Sequence, residues 1–191
     1  YVNGLFDMEP NDIRGLNYTY NADGYIWKYL GVDKTTARAA SENDQNYIIY
    51  RLADVLLMKA EALIMQGHNE EAADLIDRTR ERAGLGETTL SDDRMVMLET
   101  LLVERQKEFF GEGKNWFDLL RIGLRSEQLN DTQYKTLFVE QALKAVGASR
   151  QSLGRATLAN SGSWYLPYSE DELSKNPLLE QSCLLYTSDA A

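Results

Sequence analysis

Between residues 47 and 84 apolar positions recur with helical spacing. Leu52, Val55, Leu56, Ala60 and Leu63 fall at i, i+3, i+4, i+8 and i+11, the stripe of an amphipathic helix, and Gly67 stops it. A second run places Ala72, Leu75, Ile76, Thr79 and Ala83 on one face, with Gly84 just past its end where helices favour glycine. Only "GHN" separates the runs. So short a turn makes antiparallel neighbours of helices over 50–66 and 69–83, and the small Ala60 and Ala72 let their axes approach. Residues 1–45 behave differently. "LNYTYNADGYIWKYL" alternates with period two, and if Asn21–Gly24 is the loop, Tyr20 faces Tyr25 and Tyr18 faces Trp27. That predicts a short hairpin with an aromatic ladder on one side, followed by a mobile connection over 33–46.

Farther on, Ser91 is the expected N-cap of a third helix whose inner stripe is Met95, Leu98, Leu101, Leu102, Arg105 and Phe109. It breaks at Gly111 and Gly113. Asn115 is then the expected N-cap of a short helix, Trp116–Ile122, ending at Gly123, with Asp118 facing its positive end. Residues 131–148 predict another helix, with Tyr134, Leu137, Phe138, Gln141 and Ala145 on one side. A last helical turn starts at Ser169, with Glu172 three residues on. Ala60, Leu63, Gly67, Ala72 and Ile76 sit where a tetratricopeptide repeat wants small and apolar residues, although one copy is visible. The expectation is a mainly α domain, built on tetratricopeptide-like helix pairs, with a small β hairpin near its start.

Composition narrows the chemistry. With 191 residues, 43% hydrophobic and 26% charged, the chain can bury a sizeable core. Its formal charge of −10 argues against nucleic acid and anionic membrane surfaces. One cysteine, Cys183, and one histidine, His68, nearly exclude Cys–His zinc sites and His-based triads, so no metal, cofactor or catalytic residue is expected. His68 reads as an exposed turn residue. "NADG" reads as a turn, since Thr19 and Leu30 stand where a calcium loop needs acids. Trp164 and Tyr165 read as core. The chain opens at Tyr1 without a leader pattern and is read as a piece of a longer or processed protein.

The stretch "EFFGEGKNWFDLLRIG", 108–123, admits two readings. As a packing corner, Trp116 and Phe117 fill the gap where one helix ends and the next turns away, while Glu104 with Glu108 and Asp118 with Arg121 lie one turn apart and pair locally. As a site, Glu104, Glu108, Glu112 and Asp118 could supply the two carboxylates of an α-helical glycosidase. The packing reading is the simpler.

"YRLADVLLMKAEALIMQG", "ERQKEFFGEGKNWFDLLRIG" and "WYLPYSEDELSKNPLLEQ" together, in this order, resemble the C-terminal part of the SusD/RagB family, over roughly residues 46–181. "NDIRG" and "YIWKYL" resemble its run-up to the first helix. The resemblance implies an all-α fold and a non-catalytic, glycan- or nutrient-binding lipoprotein of the outer membrane. It would be surface-exposed and seated on a SusC-like TonB-dependent transporter. It also implies that the lipid-bearing cysteine and most of the ligand pocket lie outside this chain. Asn115 and Gln106 stand where the family usually has arginine. Residues 182–191, "SCLLYTSDAA", depart from the family's ending and are read as a foreign or unstructured tail, leaving 1–181 as the domain. Among residues present, Tyr25 and Trp27 are the candidates for a sugar-stacking face. A helical-repeat scaffold binding a protein or peptide is the alternative from the helix pair alone.

Overall fold

The computed structural model describes residues 2–7, 9–42 and 44–180. Among them the helices are α1 (Val2–Phe6), α2 (Trp27–Leu30), α3 (Leu52–Gln66), α4 (Asn69–Arg82), α5 (Arg94–Glu108), α6 (Asn115–Leu129), α7 (Thr132–Leu143), α8 (Gln151–Leu158) and α9 (Glu170–Lys175), with short 3-10 turns between some of them. None of these helices is long and apolar enough to cross a membrane. The chain divides into two compact units, Tyr1–Leu137 and Phe138–Ala191. The tail expected over 182–191 lies outside the described residues.

The first unit is built around α3, α4 and α5, which pack on one another. Gly67 ends α3 in the left-handed region, at φ +84, and the amides of Gly67 and His68 donate to Ile64 O and Leu63 O. A two-residue turn then starts α4. Ala60, Ile64, Ala72 and Ile76 are fully buried, as the small residues at the crossing require. A Cβ on residue 67 would meet no atom within 4 Å. Gly67→Ala is therefore expected to cost about 1 kcal/mol through backbone strain alone, measured by urea unfolding. An unchanged midpoint would mean that the turn does not need the left-handed conformation.

The buried face of α3 is rotated from the expected stripe. Leu52 and Val55 are exposed, at 68% and 53%, while Ala53, Asp54, Leu57, Glu61 and Ile64 are inside. Asp54 and Glu61 are drawn in because Asp54 meets Arg105 of α5 and Lys114 of the turn before α6, and Glu61 meets Arg121 and Arg125 of α6. That ion pairing, invisible to an apolar count, selects the face. The inner stripe of α5 holds as expected through Leu98, Leu101, Leu102, Arg105 and Phe109, but its cap is Asp93, whose carboxylate accepts from the Met95 amide at 2.7 Å. After positive-φ turns at Gly111 and Gly113, α6 begins at Asn115 with no side-chain cap, runs through the buried Gly123, and ends at Asn130 in the left-handed region, at φ +50.

No hairpin forms over 16–31. Only isolated bridges, Leu16 with Tyr20 and Gly31 with Ala37, occur among the described residues, and 27–30 is helical. Across the turn the Asn21 amide donates to Tyr25 O and the amides of Trp27 and Lys28 to Thr19 O, but the pairing goes no further: the Asn17 amide donates to Tyr20 O at 2.7 Å, with Asn17 itself at φ +67.

In the second unit, Trp164 is buried as expected. It packs on Phe138 with ring centroids 4.3 Å apart, and its indole N–H donates to Leu158 O at 2.9 Å. Tyr165, expected in the core, is half exposed. Ser169 caps α9, its hydroxyl accepting from the Glu172 amide. The helix expected over 131–148 ends at Leu143.

Candidate functional site

The segment 16–34 carries the two candidate ligand residues, and the structure separates them. Asn21–Gly24 does form a turn. The Asn21 side chain accepts from the Tyr25 amide at 2.9 Å, and Gly24 sits at φ +83. Tyr25 is 60% exposed, whereas Trp27 is 9% exposed and donates its indole N–H to Asp33 O at 2.7 Å. Gly31 lies so close above that indole that a Cβ would come within 2.4 Å of its nitrogen. Of the other rings, Tyr20 is buried against Phe6 and Phe110, and Tyr18 is exposed with the Lys34 ammonium 4.6 Å from its ring centre. The alternation expected of a strand is thus replaced by two surface tyrosines, Tyr18 and Tyr25, over a base that includes Tyr20 and Trp27.

Beside this segment lies a pocket of about 330 Å³. Ile13, Tyr18, Ile48 and Ala83 supply its apolar wall; Arg14, Lys28, Arg51, Arg82, Glu108 and Glu112 supply its charges. The charges are paired across long stretches of sequence. Arg14 donates to Asp12 at 2.8 and 2.9 Å, to Glu104 at 2.6 Å and to Glu108 at 3.1 Å. Arg51 and Arg82 both donate to Glu108. Arg51 and Lys28 donate to Glu112, at 2.9 and 2.8 Å. The Tyr47 hydroxyl donates to Glu112 O at 2.5 Å. Burial would raise the Glu108 carboxyl, but hydrogen bonds and charge from Arg51 and Arg82 hold it down at about 2.

A second cluster sits where α5 and α6 face each other. Arg105, 2% exposed, makes a two-point contact with Asp118, Nε and Nη2 each 2.8 Å from a carboxylate oxygen, and reaches Asp54 at 2.9 Å. Lys114 donates to Asp54, and Arg121 and Arg125 donate to Glu61. Arg121 also reaches Asp118 at 3.0 Å, as expected from their spacing. The corner is thus held by ions around the buried Phe109 rather than by Trp116 and Phe117. Trp116 and Phe117, expected inside, are 38% and 67% exposed. Glu104, Glu108, Glu112 and Asp118 are all buried, and the cations on the three glutamates come from distant segments rather than from the same helix turn. Both corrections have one cause. Buried carboxylates must be neutralised by ion partners, and supplying those partners fixes which side of α6 turns inward.

Sequence reasoning missed Asp12, Arg14, Lys28 and Arg51. For Arg14, Lys28 and Arg51, partners on and just after α5 lie 57 to 94 positions away and leave no local periodicity; the one available signal was the "NDIRG" motif. His68 is exposed, as expected, with Nδ1 3.4 Å from Glu71.

In the first cluster the Glu108 carboxyl is displaced downward, opposite to the raised pKa that the acid of a glycosidase needs. What the surface does offer is two exposed tyrosine rings, of which Tyr18 lines the pocket.

Comparison with known proteins gives a consistent result. A family model described as "SusD family" matches residues 9–186. Three SusD-like proteins of Formosa agariphila are similar: one is 38% identical over 42% of this chain and 18% of its own length, one 34% over 53% and 21%, and one 33% over 63% and 22%. The chain therefore spans about a fifth of the length of these curated relatives. A crystal structure of a SusD superfamily protein from Bacteroides fragilis superposes on 95% of this chain and 39% of its own, with a TM-score of 0.60 at 23% identity. That likeness supports the fold.

Proposed function

Since the chain belongs to the SusD family, we propose that it forms the C-terminal part, over 1–181, of a surface-exposed outer-membrane lipoprotein that captures a glycan or related nutrient for a SusC-like TonB-dependent transporter, and that it binds its ligand without cleaving it. The family match over 9–186 supports the capture role. The single observation that carries the absence of turnover is the fate of the carboxylates. Those near the pocket are buried and bonded to arginine or lysine, and Glu108 is held at about 2. Attachment through an N-terminal lipid, on sequence outside this chain, belongs to the same reading. So does treating α3 and α4 as a tetratricopeptide-like unit of the scaffold.

Tyr25 is the residue present that we assign to a sugar-stacking contact, since an exposed aromatic face suits the C–H face of a pyranose. Trp27 would act beneath it, holding the turn through Asp33. Calorimetry of the full-length protein against a glycan panel tests this, with product analysis after long incubation. Tyr25→Ala should weaken binding about tenfold, which is about 1.4 kcal/mol; unchanged affinity would remove this loop from the site. Released sugar that vanishes in Glu108→Gln would overturn the binding-only reading in favour of a glycosidase.

A further inference from the structure

The pocket beside segment 16–34 shows its cations and hides its acids. Of the charged side chains that line it, Glu108 and Glu112 are 2% and 0% exposed, whereas Lys28, Arg51 and Arg82 are 19%, 25% and 60% exposed. The acids are also outnumbered. Glu108 is met by Arg14, Arg51 and Arg82, and Glu112 by Lys28 and Arg51. Arg14 is spent on Asp12, Glu104 and Glu108. The other cations keep hydrogens to give, since an ammonium carries three N–H donors and a guanidinium five. Lys28 gives one to Glu108 O and one to Glu112, and keeps a third. Arg51 keeps one on Nη1 beyond its bonds to Glu108 and Glu112. Among the described residues Arg82 donates through Nη2 alone, to Glu108, which leaves its Nε and Nη1 open.

This positive opening stands in a chain with 30 acidic and 20 basic residues, so composition does not account for it. Its cations are held in place by the buried carboxylates, and a group already held loses little freedom on binding. A guanidinium fork matches the paired oxygens of a carboxylate or of a sulfate ester. Ile13, Tyr18, Ile48 and Ala83 give the same pocket apolar surface, and the Lys34 ammonium, 4.6 Å from the Tyr18 ring centre, adds a further positive charge there. The volume, about 330 Å³, falls within the roughly 300–1,000 Å³ of small-ligand sites.

We infer that this pocket selects acidic glycans: Lys28, Arg51 and Arg82 receive a carboxylate or sulfate group of the saccharide, and Tyr18 packs against its ring. The inference rests on the capture role proposed above and names the class of ligand. The overall charge of −10 repels such a ligand at a distance, so recognition depends on this one opening.

The test is calorimetry on the full-length protein with two matched pairs of oligosaccharides, an oligogalacturonate against its carboxyl-reduced form and a sulfated galactan fragment against its desulfated form. The charged member of at least one pair should bind about tenfold more tightly than its neutral counterpart, as expected for hydrogen bonds to a charged group. Which pair responds distinguishes carboxylate from sulfate. That preference should shrink as salt rises from about 0.05 to 0.5 M, through screening. Arg82→Gln should weaken the charged member about tenfold and leave the neutral one unchanged, while Arg82→Lys, which keeps the charge, should retain most of the affinity. Equal affinity within both pairs, or a loss in Arg82→Gln shared by charged and neutral members, would overturn the inference and leave the capture role standing. Failure of the unaltered protein to bind any glycan would overturn the capture role, and this inference with it.

Discussion

Arg105→Met should cost the protein about 3–5 kcal/mol, the loss seen when one partner of a buried ion pair is removed. That is a large share of the roughly 5–15 kcal/mol by which domains are stable. Methionine can fill the volume of the stem, so the loss comes from charge. Asp118 and Asp54 are 4% and 2% exposed and lose the guanidinium that bridges them. Arg121 and Lys114 remain, which places the expected value toward the lower end. Urea unfolding measures it. If the loss is below about 1 kcal/mol, Arg121 and Lys114 neutralise both carboxylates unaided and the bridge is not what holds α3, α5 and α6 together. The double variant Arg105→Met, Asp118→Asn should recover part of the loss, because it removes a stranded charge along with its partner.

Acidification should remove stability of similar size. The Glu108 carboxyl falls from 4.5 in an unperturbed chain to about 2 in the fold. At about 1.36 kcal/mol per unit, the difference is on the order of 3 kcal/mol. A depressed carboxyl stabilises the fold fully above its unfolded value, so this contribution is intact at pH 5 and above and is lost as pH drops from about 4.5 toward 2. Asp54 and Glu61 are also lowered, with burial opposed by their lysine and arginine partners, and they act in the same direction. Urea midpoints at pH 7, 5, 3.5 and 2.5 should therefore stay level and then fall. Glu108→Gln should be less stable at pH 7 and should lose less on acidification. An equally steep acid limb in that variant would assign the effect to other carboxylates.

The parts of this fold that could be read from the sequence are those whose cause is local. The bounds of α3 and α4 followed from period and from glycines that adopt positive φ, and the start of α9 followed from one hydroxyl within reach of one amide. The rotated face of α3 was not legible, because Asp54 and Glu61 go inside for the sake of partners 51 to 64 residues away. Leu52 and Val55 turn out as a consequence. The segment 16–31 misled for a related reason. Alternating aromatics suit a strand, but four of the rings have different roles: Tyr20 packs on Phe110, Trp27 bonds Asp33, and Tyr18 and Tyr25 stay outside. At the corner the pair "WF" looked like core filling, yet the buried volume is taken by Arg105 and Asp118. Of the two ligand candidates, the exposed Tyr25 follows from its place beside a turn, while the burial of Trp27 depends on a helix of four residues that no pattern announced.

The reach of Arg14 also sets an order of events during synthesis. Its carboxylate partners on α5 are 90 and 94 residues farther along. At about 5–20 residues per second, the ribosome takes roughly 5–20 s to deliver them after Arg14 has emerged. Through that interval the nascent segment 9–31 has Asp12 as its one local ion partner for Arg14, and Tyr20 lacks Phe110, the ring it will pack against. The helix pair α3–α4, whose contacts are close in sequence, can form in that time; the N-terminal segment must wait for α5 before it can close over the pocket.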